Sequence, residues 1–356
     1  MKVRIWKFLF REFILKNTNK IIMVIIGTLV GAGFASGREI YLFFGKFGIN
    51  GLIGIIISGL LSAFIIYAVL KNIYEKNICN YLEFLKIINP NHKIINRIIQ
   101  TIVNSFLLIS FFIMIAAFSA YISQNYQISK LISSTALILV CYIVFEKSLK
   151  GMIKINSIIV PFLLIFIIFL GTKNISYLIQ TKPYIEMKLK INNFLISSIL
   201  YTSYNSITLI PVLVSMKTCI TNKKQIKQIS IITGTIIMIL LFCIYGLLLK
   251  NSNLVQKLEL PLLKIVKSFG EKYTYIYSFI IISSIFTSAI SSGYTFLKNV
   301  SKTQKSYKIN LVLISIGAII ISKIGFSNLV KTLYPFFGFL GLLQIWLLIR
   351  DKIAHQ

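Results

Sequence analysis

The sequence predicts an all-α integral membrane protein of ten transmembrane helices, arranged as an inverted repeat of five plus five. Three observations predict it. The chain of 356 residues is 56% hydrophobic, with a mean hydropathy of +0.83. Only 13% of it is charged, about half the share carried by soluble domains. Its apolar residues gather in segments near the length of about 20 residues that crosses a bilayer, and two of those segments carry interruptions that the others lack.

The ten segments run over 21–44, 51–71, 98–121, 130–147, 152–172, 194–216, 229–250, 274–297, 308–325 and 327–350. The ninth and tenth adjoin, so their boundary is the least defined. Ahead of them, residues 1–20 carry Lys2, Arg4, Lys7, Arg11, Lys16 and Lys20 among Trp6, Phe8, Phe10 and Phe13. Arg11 and Glu12 interrupt any signal-peptide core, and no small-residue cleavage site follows. The stretch is expected to lie as a basic amphipathic segment on the cytoplasmic membrane surface. With this end inside, 24 of the 38 Lys and Arg residues fall on the inner side. That bias sets the orientation and puts both termini in the cytoplasm.

The net charge of +29 does not point to nucleic acid. The basic residues form no single stripe but sit in short clusters between apolar runs, as membrane loops do. The richness in Ile, Lys and Asn suggests an AT-rich genome, as in some Gram-positive bacteria. Cys79, Cys141, Cys219 and Cys243 are scattered with no CxxC, and the histidines are His92 and His355 alone. A zinc or haem centre has almost no ligands to draw on. No span contains a histidine, and neither HExxH nor GxSxG occurs. An intramembrane enzyme lacks its constellation, and a channel would need a ring of charges or carbonyls.

Two outer loops, 173–193 and 251–273, are longer than the rest. In the second, Leu254, Val255, Leu258, Leu262, Leu263, Ile265 and Val266 recur at near-helical spacing, as in a short amphipathic helix capping the bundle. The inner stretch 78–95, which contains Asn89-Pro90, is expected to do the same below.

The interrupted spans carry the functional information. Span one contains Gly27, Gly31, Gly33 and Gly37, and each glycine costs a helix about 1 kcal/mol relative to alanine. An unwound backbone at membrane depth must be buried in protein or line a cavity. The alternative is close helix packing through small residues. Span six contains Tyr201-Thr202-Ser203-Tyr204-Asn205-Ser206 and then Pro211. This polar run covers every face of a helix, so a break is expected here too. The alternative is a polar interior face bonded to neighbouring helices. Breaks in the first and sixth of ten spans sit in corresponding halves, 21–172 and 194–350, of one transport domain. Pro161-Phe162 in span five and Pro335-Phe336 in span ten echo each other likewise. Paired broken helices point to a binding site at the bilayer midplane. A half-helix N-terminus attracts a carboxylate, and the opposing carbonyls suit a cation. An α-amino acid or similar small zwitterion matches both.

Gly31-Ala32-Gly33-Phe34-Ala35-Ser36-Gly37-Arg38-Glu39, with Tyr201-Thr202-Ser203-Tyr204-Asn205 and Glu259-Leu260-Pro261-Leu262-Leu263, resembles the YkvI-like membrane proteins of Firmicutes. That family is similar to a branch of the amino acid–polyamine–organocation superfamily, with the LeuT fold. The resemblance extends over essentially all ten spans. Gly27-Thr28-Leu29-Val30-Gly31-Ala32-Gly33 resembles the first span of LeuT-type sodium symporters. It nominates the carbonyls of Gly27 and Val30 for a sodium ion, completed by span-eight hydroxyls. Thr287 and Ser288 are the favoured pair, and Ser291-Ser292 is the other. The alternative is hydroxyl back-bonding within the helix. Phe34 replaces the Asn that accompanies a second sodium, so one sodium is expected. Some relatives use a lysine amine on span five instead, which makes Lys154 a candidate for proton coupling. The alternative is that it snorkels to the interface.

Arg38 and Glu39 close span one on its outer side, where an ion pair could gate a vestibule. The substrate is expected between Gly31–Gly37 and span six. The amides of Gly33 to Gly37 would hold a carboxylate, with Ala32 and Ala35 in the same turn. Tyr201, Ser203, Tyr204 and Asn205 would supply contacts, and Phe34 with span-three aromatics an apolar wall. Span three offers Asn104, Ser105, Phe111 and Phe112, on faces the sequence does not rank. The leading expectation is a sodium-coupled secondary transporter of the cell membrane working by alternating access. The competing one is an integral subunit of the spore germinant receptor type, which binds a small molecule without pumping it.

Overall fold

The structure, a computed structural model, describes residues 17–90, 92–172, 193–250, 261–322 and 337–350. All regular structure among them is helical. The first span is divided into α1 (Asn17–Leu29), α2 (Ala32–Ala35) and α3 (Arg38–Phe44). Then come α4 (Ile49–Glu75), α5 (Tyr81–Ile88), α6 (Lys93–Tyr126), α7 (Lys130–Glu146) and α8 (Ser148–Thr172). The second half contains α9 (Phe194–Ser215), α10 (Lys223–Lys250), α11 (Pro261–Lys267), α12 (Glu271–Val300), α13 (Gln304–Ile321) and α14 (Phe337–Arg350). A helix therefore lies in each of the ten expected segments, and six of them are long and apolar enough to cross a membrane.

The side chains are distributed as lipid demands. Leu60, Leu139, Phe162, Ile165, Phe279 and Ile320 stand exposed on the outer faces, while Ser58, Ser62, Ser119, Asn156, Ser198, Thr233 and Ser284 are buried. The core itself is mainly apolar, as in a water-soluble protein, with these polar groups set within it, and the apolar exterior is what sets the bundle apart. With lipid outside, helices associate by close packing and internal hydrogen bonds. Thus α4 packs along α10, where a Cβ at Gly234 would stand 2.6 Å from that of Ala63. Likewise α6 packs on α12, α9 on α4, and α1 on α8. Helix α1 lies innermost, with every residue from Ile21 to Val30 buried.

The two short helices cover the bundle as expected. In α5, Tyr81, Phe84, Leu85 and Ile88 form one buried face, and Asn80 caps the first turn by accepting from the Glu83 amide at 2.9 Å. The Tyr81 hydroxyl meets the Gln344 amide of α14, and Arg350 Nη2 donates to Asn89 Oδ1 at 2.6 Å. In α11, Pro261, Leu262, Ile265 and Val266 are buried. Leu254, Val255, Leu258, Glu259 and Leu260 lie outside the described residues, as do residues 1–16, 173–192 and the Pro335-Phe336 pair.

One expectation is corrected. Span six is not discontinuous: α9 runs unbroken from Phe194 to Ser215 through both the polar run and Pro211. The polar run is absorbed by its own helix. Thr202 Oγ1 donates to the Ser198 carbonyl at 3.0 Å, Asn205 Nδ2 to Tyr201 at 3.0 Å, and Ser206 Oγ to Ser203 at 2.7 Å. Each bond reaches back three or four residues, so these three side chains are satisfied without unwinding, while Ser203 Oγ is buried with no hydrogen-bond partner.

Candidate functional site

The break in span one builds the site. Helix α1 stops at Leu29; Gly31 is extended, with φ −89° and ψ −169°. After the single turn of α2, Gly37 turns the chain at φ +78°, a left-handed conformation that glycine adopts without strain. A Cβ there would also stand 2.8 Å from the Leu262 side chain of α11. The carbonyls this break releases are taken up by the second half of the chain. The Leu262 amide donates to the Ser36 carbonyl at 3.1 Å, and the Tyr277 hydroxyl of α12 donates to Ala35. Below α3, the Tyr245 hydroxyl bonds the carbonyls of Phe44 and Gly48 at 3.0 and 2.8 Å. This meets the requirement for partners at membrane depth.

Beside the break lies a small cavity of about 30 Å³. Helix α1 contributes Thr28 and Leu29, the break Gly31, and α3 Glu39; α6 adds Ser110 and Met114. Helix α9 adds Tyr204, Asn205 and Thr208, and α12 adds Ser288 and Ser292. The volume suits a group the size of one or two waters. An amino acid enters only if the helices part.

Of the expected substrate residues, Gly31, Tyr204 and Asn205 line this cavity. Tyr204 is stacked on Phe43 at 6.4 Å and meets the edge of Phe106 at 6.0 Å. Tyr201 is buried behind it, against Phe43 and Phe44. Ser203 faces α14, where a Cβ at Gly341 would overlap its carbonyl. Ala32, Gly33, Phe34 and Ala35 are buried in α2 and do not line the cavity. The amides of Ala35, Ser36 and Gly37 are engaged by the carbonyls of Gly31, Ala32 and Phe34. The amide cradle expected over residues 33–37 is therefore largely occupied by the local turn.

Span three turns Ser110 and Met114 to the cavity, with Phe106 one turn before them. Asn104 pairs with Asn299 at 3.0 Å, and Phe111 packs on Phe145 at 5.8 Å. The spacing of four residues from 106 to 110 to 114 was available in the sequence as one helix face. Nothing in the sequence marked it out from the apolar faces beside it. Thr28 and Thr208 were missed for the same reason, whereas Ser292 was named only in the second hydroxyl pair of the cation site.

The nominated cation site is partly assembled. Ser288 Oγ lies 3.0 Å from the Gly27 carbonyl and 3.4 Å from that of Thr28. Asn156 of α8 packs against Gly27 so closely that a Cβ there would stand 1.9 Å from Asn156 Oδ1. That oxygen is buried without a hydrogen-bond donor, as is Ser291 Oγ. Carbonyls of an unwound helix with hydroxyl and amide oxygens are a donor set that fits sodium. Thr287 Oγ1 instead donates to its own helix at Ser284, 3.1 Å away. Val30 is buried in the bend, and no bond from α12 to its carbonyl occurs among the described residues. Lys154 is exposed, and Met152 and Asn156 hold the buried face of α8. A proton relay at Lys154 is thereby displaced from the site.

The expected Arg38–Glu39 gate is also corrected. Successive helical residues stand about 100° apart, and here they separate. Arg38 is half-buried, whereas Glu39 is 3% exposed and within hydrogen-bonding reach of Asn205.

No protein-family model matches the chain. It is 29% identical to the uncharacterized membrane protein YkvI of Bacillus subtilis (strain 168), over 96% of this chain and 97% of that one. It is 23% identical to the uncharacterized protein YyaD of the same organism, over 95% and 97%. Among solved structures, a substrate-bound, outward-open Na+-coupled sialic acid symporter superposes with a TM-score of 0.63 at 13% identity, over 89% of this chain and 75% of that one. The manganese transporter of Eremococcus coleocola superposes with a TM-score of 0.57 at 14% identity, over 87% and 70%. Both solved structures are transporters and not enzymes, and the chain is similar in fold to each.

Proposed function

We propose that the chain is a secondary transporter of an amino acid or similar small zwitterion, working by alternating access with sodium as the coupling ion. The observation that carries this reading is the backbone break at Val30–Gly31, set beside a cavity lined by α1, α3, α6, α9 and α12. The transporter folds it is similar to support the same reading. In it, residues 21–172 and 194–350 are the two halves of a five-plus-five inverted repeat of the LeuT type. Both termini face the cytoplasm. Sodium is held by the carbonyls of Gly27 and Thr28, Ser288 Oγ and Asn156 Oδ1. Because those carbonyls end α1 where the cavity begins, the ion fixes the broken helix in its substrate-binding form. The substrate lies between Gly31 and the α9 face of Tyr204, Asn205 and Thr208.

A stability screen of the purified protein against the twenty amino acids, in sodium and in potassium, tests this. A ligand at 100 times its Kd stabilises the folded state by about 2.7 kcal/mol. Stabilisation by one class of amino acid in sodium, and far less in potassium, is expected. Silence from all twenty contradicts the substrate class. Binding without uptake into proteoliposomes favours a receptor.

A further inference from the structure

We propose that Glu39 is the group that recognises positive charge on the ligand, so that the substrate of this cavity carries a primary ammonium seated between Glu39 and Asn205. This rests on the transporter reading above and adds the polarity of its substrate. Glu39 is 3% exposed, and its Oε1 is buried without a hydrogen-bond partner. Among the described residues it is the one acidic side chain lining the cavity, and none of them that lines it is Lys or Arg. No ion pair to Glu39 occurs among the described residues. The side-chain oxygens of Asn205, Thr208 and Ser110, which line the same cavity, are all able to accept.

A first-turn glutamate can simply favour the helix dipole. That role is served equally well by a carboxylate facing solvent. It does not account for a buried carboxylate with an orphaned oxygen. A buried charge is retained where a partner of opposite sign completes it, and the open side of Glu39 is the cavity. A primary ammonium brings three donors to this set of acceptors. An anion without an amine would be opposed by the carboxylate.

The test pairs the amino acid that stabilises the protein most with its α-hydroxy acid and its decarboxylated amine, each of the same side chain. Binding is read from thermal stability in sodium buffer. The wild type is expected to bind the amino acid about tenfold or more tighter than the hydroxy acid, a difference of about 1.4 kcal/mol. Glu39→Gln is expected to remove that preference while leaving the stabilisation by sodium alone unchanged, which also reports that the variant is folded. Glu39→Asp keeps the charge and is expected to keep the preference at reduced affinity. It decides the matter if the glutamine variant does not fold.

Equal binding of the hydroxy acid to the wild type, or an undiminished preference in Glu39→Gln, overturns the role of Glu39 and leaves the transporter reading standing. Unchanged affinity for the amino acid in Glu39→Asp, with hydroxy acid binding also unchanged, overturns it as well. Failure of every amino acid and amine to bind the wild type overturns the amino acid reading, and this inference with it.

Discussion

At the residue scale, Ser288 joins α12 to the end of α1 by reaching the Gly27 and Thr28 carbonyls. Replacing it with alanine removes an oxygen from the cation set without a large change of volume. Ser288→Ala is expected to raise the sodium concentration needed for stabilisation by about tenfold, or about 1.4 kcal/mol, as measured by sodium titration of thermal stability. An unchanged titration places sodium elsewhere. Lys154 is the counter-test. It is exposed, so Lys154→Ala is expected to leave uptake within about twofold of wild type, as surface substitutions do. Tyr245→Phe removes the hydroxyl that bonds the carbonyls of Phe44 and Gly48, of which Gly48 keeps the Gly51 amide as a donor. Loss of one such hydrogen bond costs about 0.5–1.5 kcal/mol, so a modest fall in thermal stability is expected with sodium affinity preserved.

At the element scale, the two interrupted spans behaved differently for a physical reason. Span one has a glycine at Gly31 and another at Gly37, where φ is positive, and its released carbonyls find partners on α11 and α12. That break was legible because glycine density weakens a helix in any surroundings. Span six offered hydroxyls and amides, which bond to their own helix as readily as they line a cavity. A sequence does not distinguish the two: in α9 Thr202 and Ser206 took the first option, and Asn205 does both. Glu39 was misjudged through its sequence neighbour: Arg38 suggested a surface pair, but adjacent positions on α3 enter different surroundings. The close contact of α4 with α10 gives a prediction of its own. Gly234→Leu forces a side chain into Ala63 and the Gly59 carbonyl. Overpacking of this kind costs about 1–3 kcal/mol, which lowered thermal stability of the detergent-purified protein would register.

At the scale of the whole molecule, the distribution of polar groups determines how the bundle can work. Lipid surrounds an apolar exterior, while the buried serines, threonines and asparagines are most numerous on α9 and α12. Helix α1 lies at the centre, and the first span is broken at its end. In the proposed reading, a rearrangement of the elements around it changes the cavity and the cation oxygens together, which is what coupling of substrate to ion requires. The cavity of about 30 Å³ is too small for an amino acid, so that reading requires the cavity to open. The membrane class and ten helical segments were read from composition and span length alone. The cavity's lining depended on which face of each helix turns inward, and that is set by packing between distant segments.

The most direct measurement is uptake of the stabilising amino acid into proteoliposomes under an imposed sodium gradient, with the same gradient of potassium as control. The account predicts accumulation above the external concentration that follows the inward sodium gradient and collapses when the gradient is abolished. Binding of the amino acid with no sodium-driven accumulation, in protein shown to be folded and inserted, would contradict it.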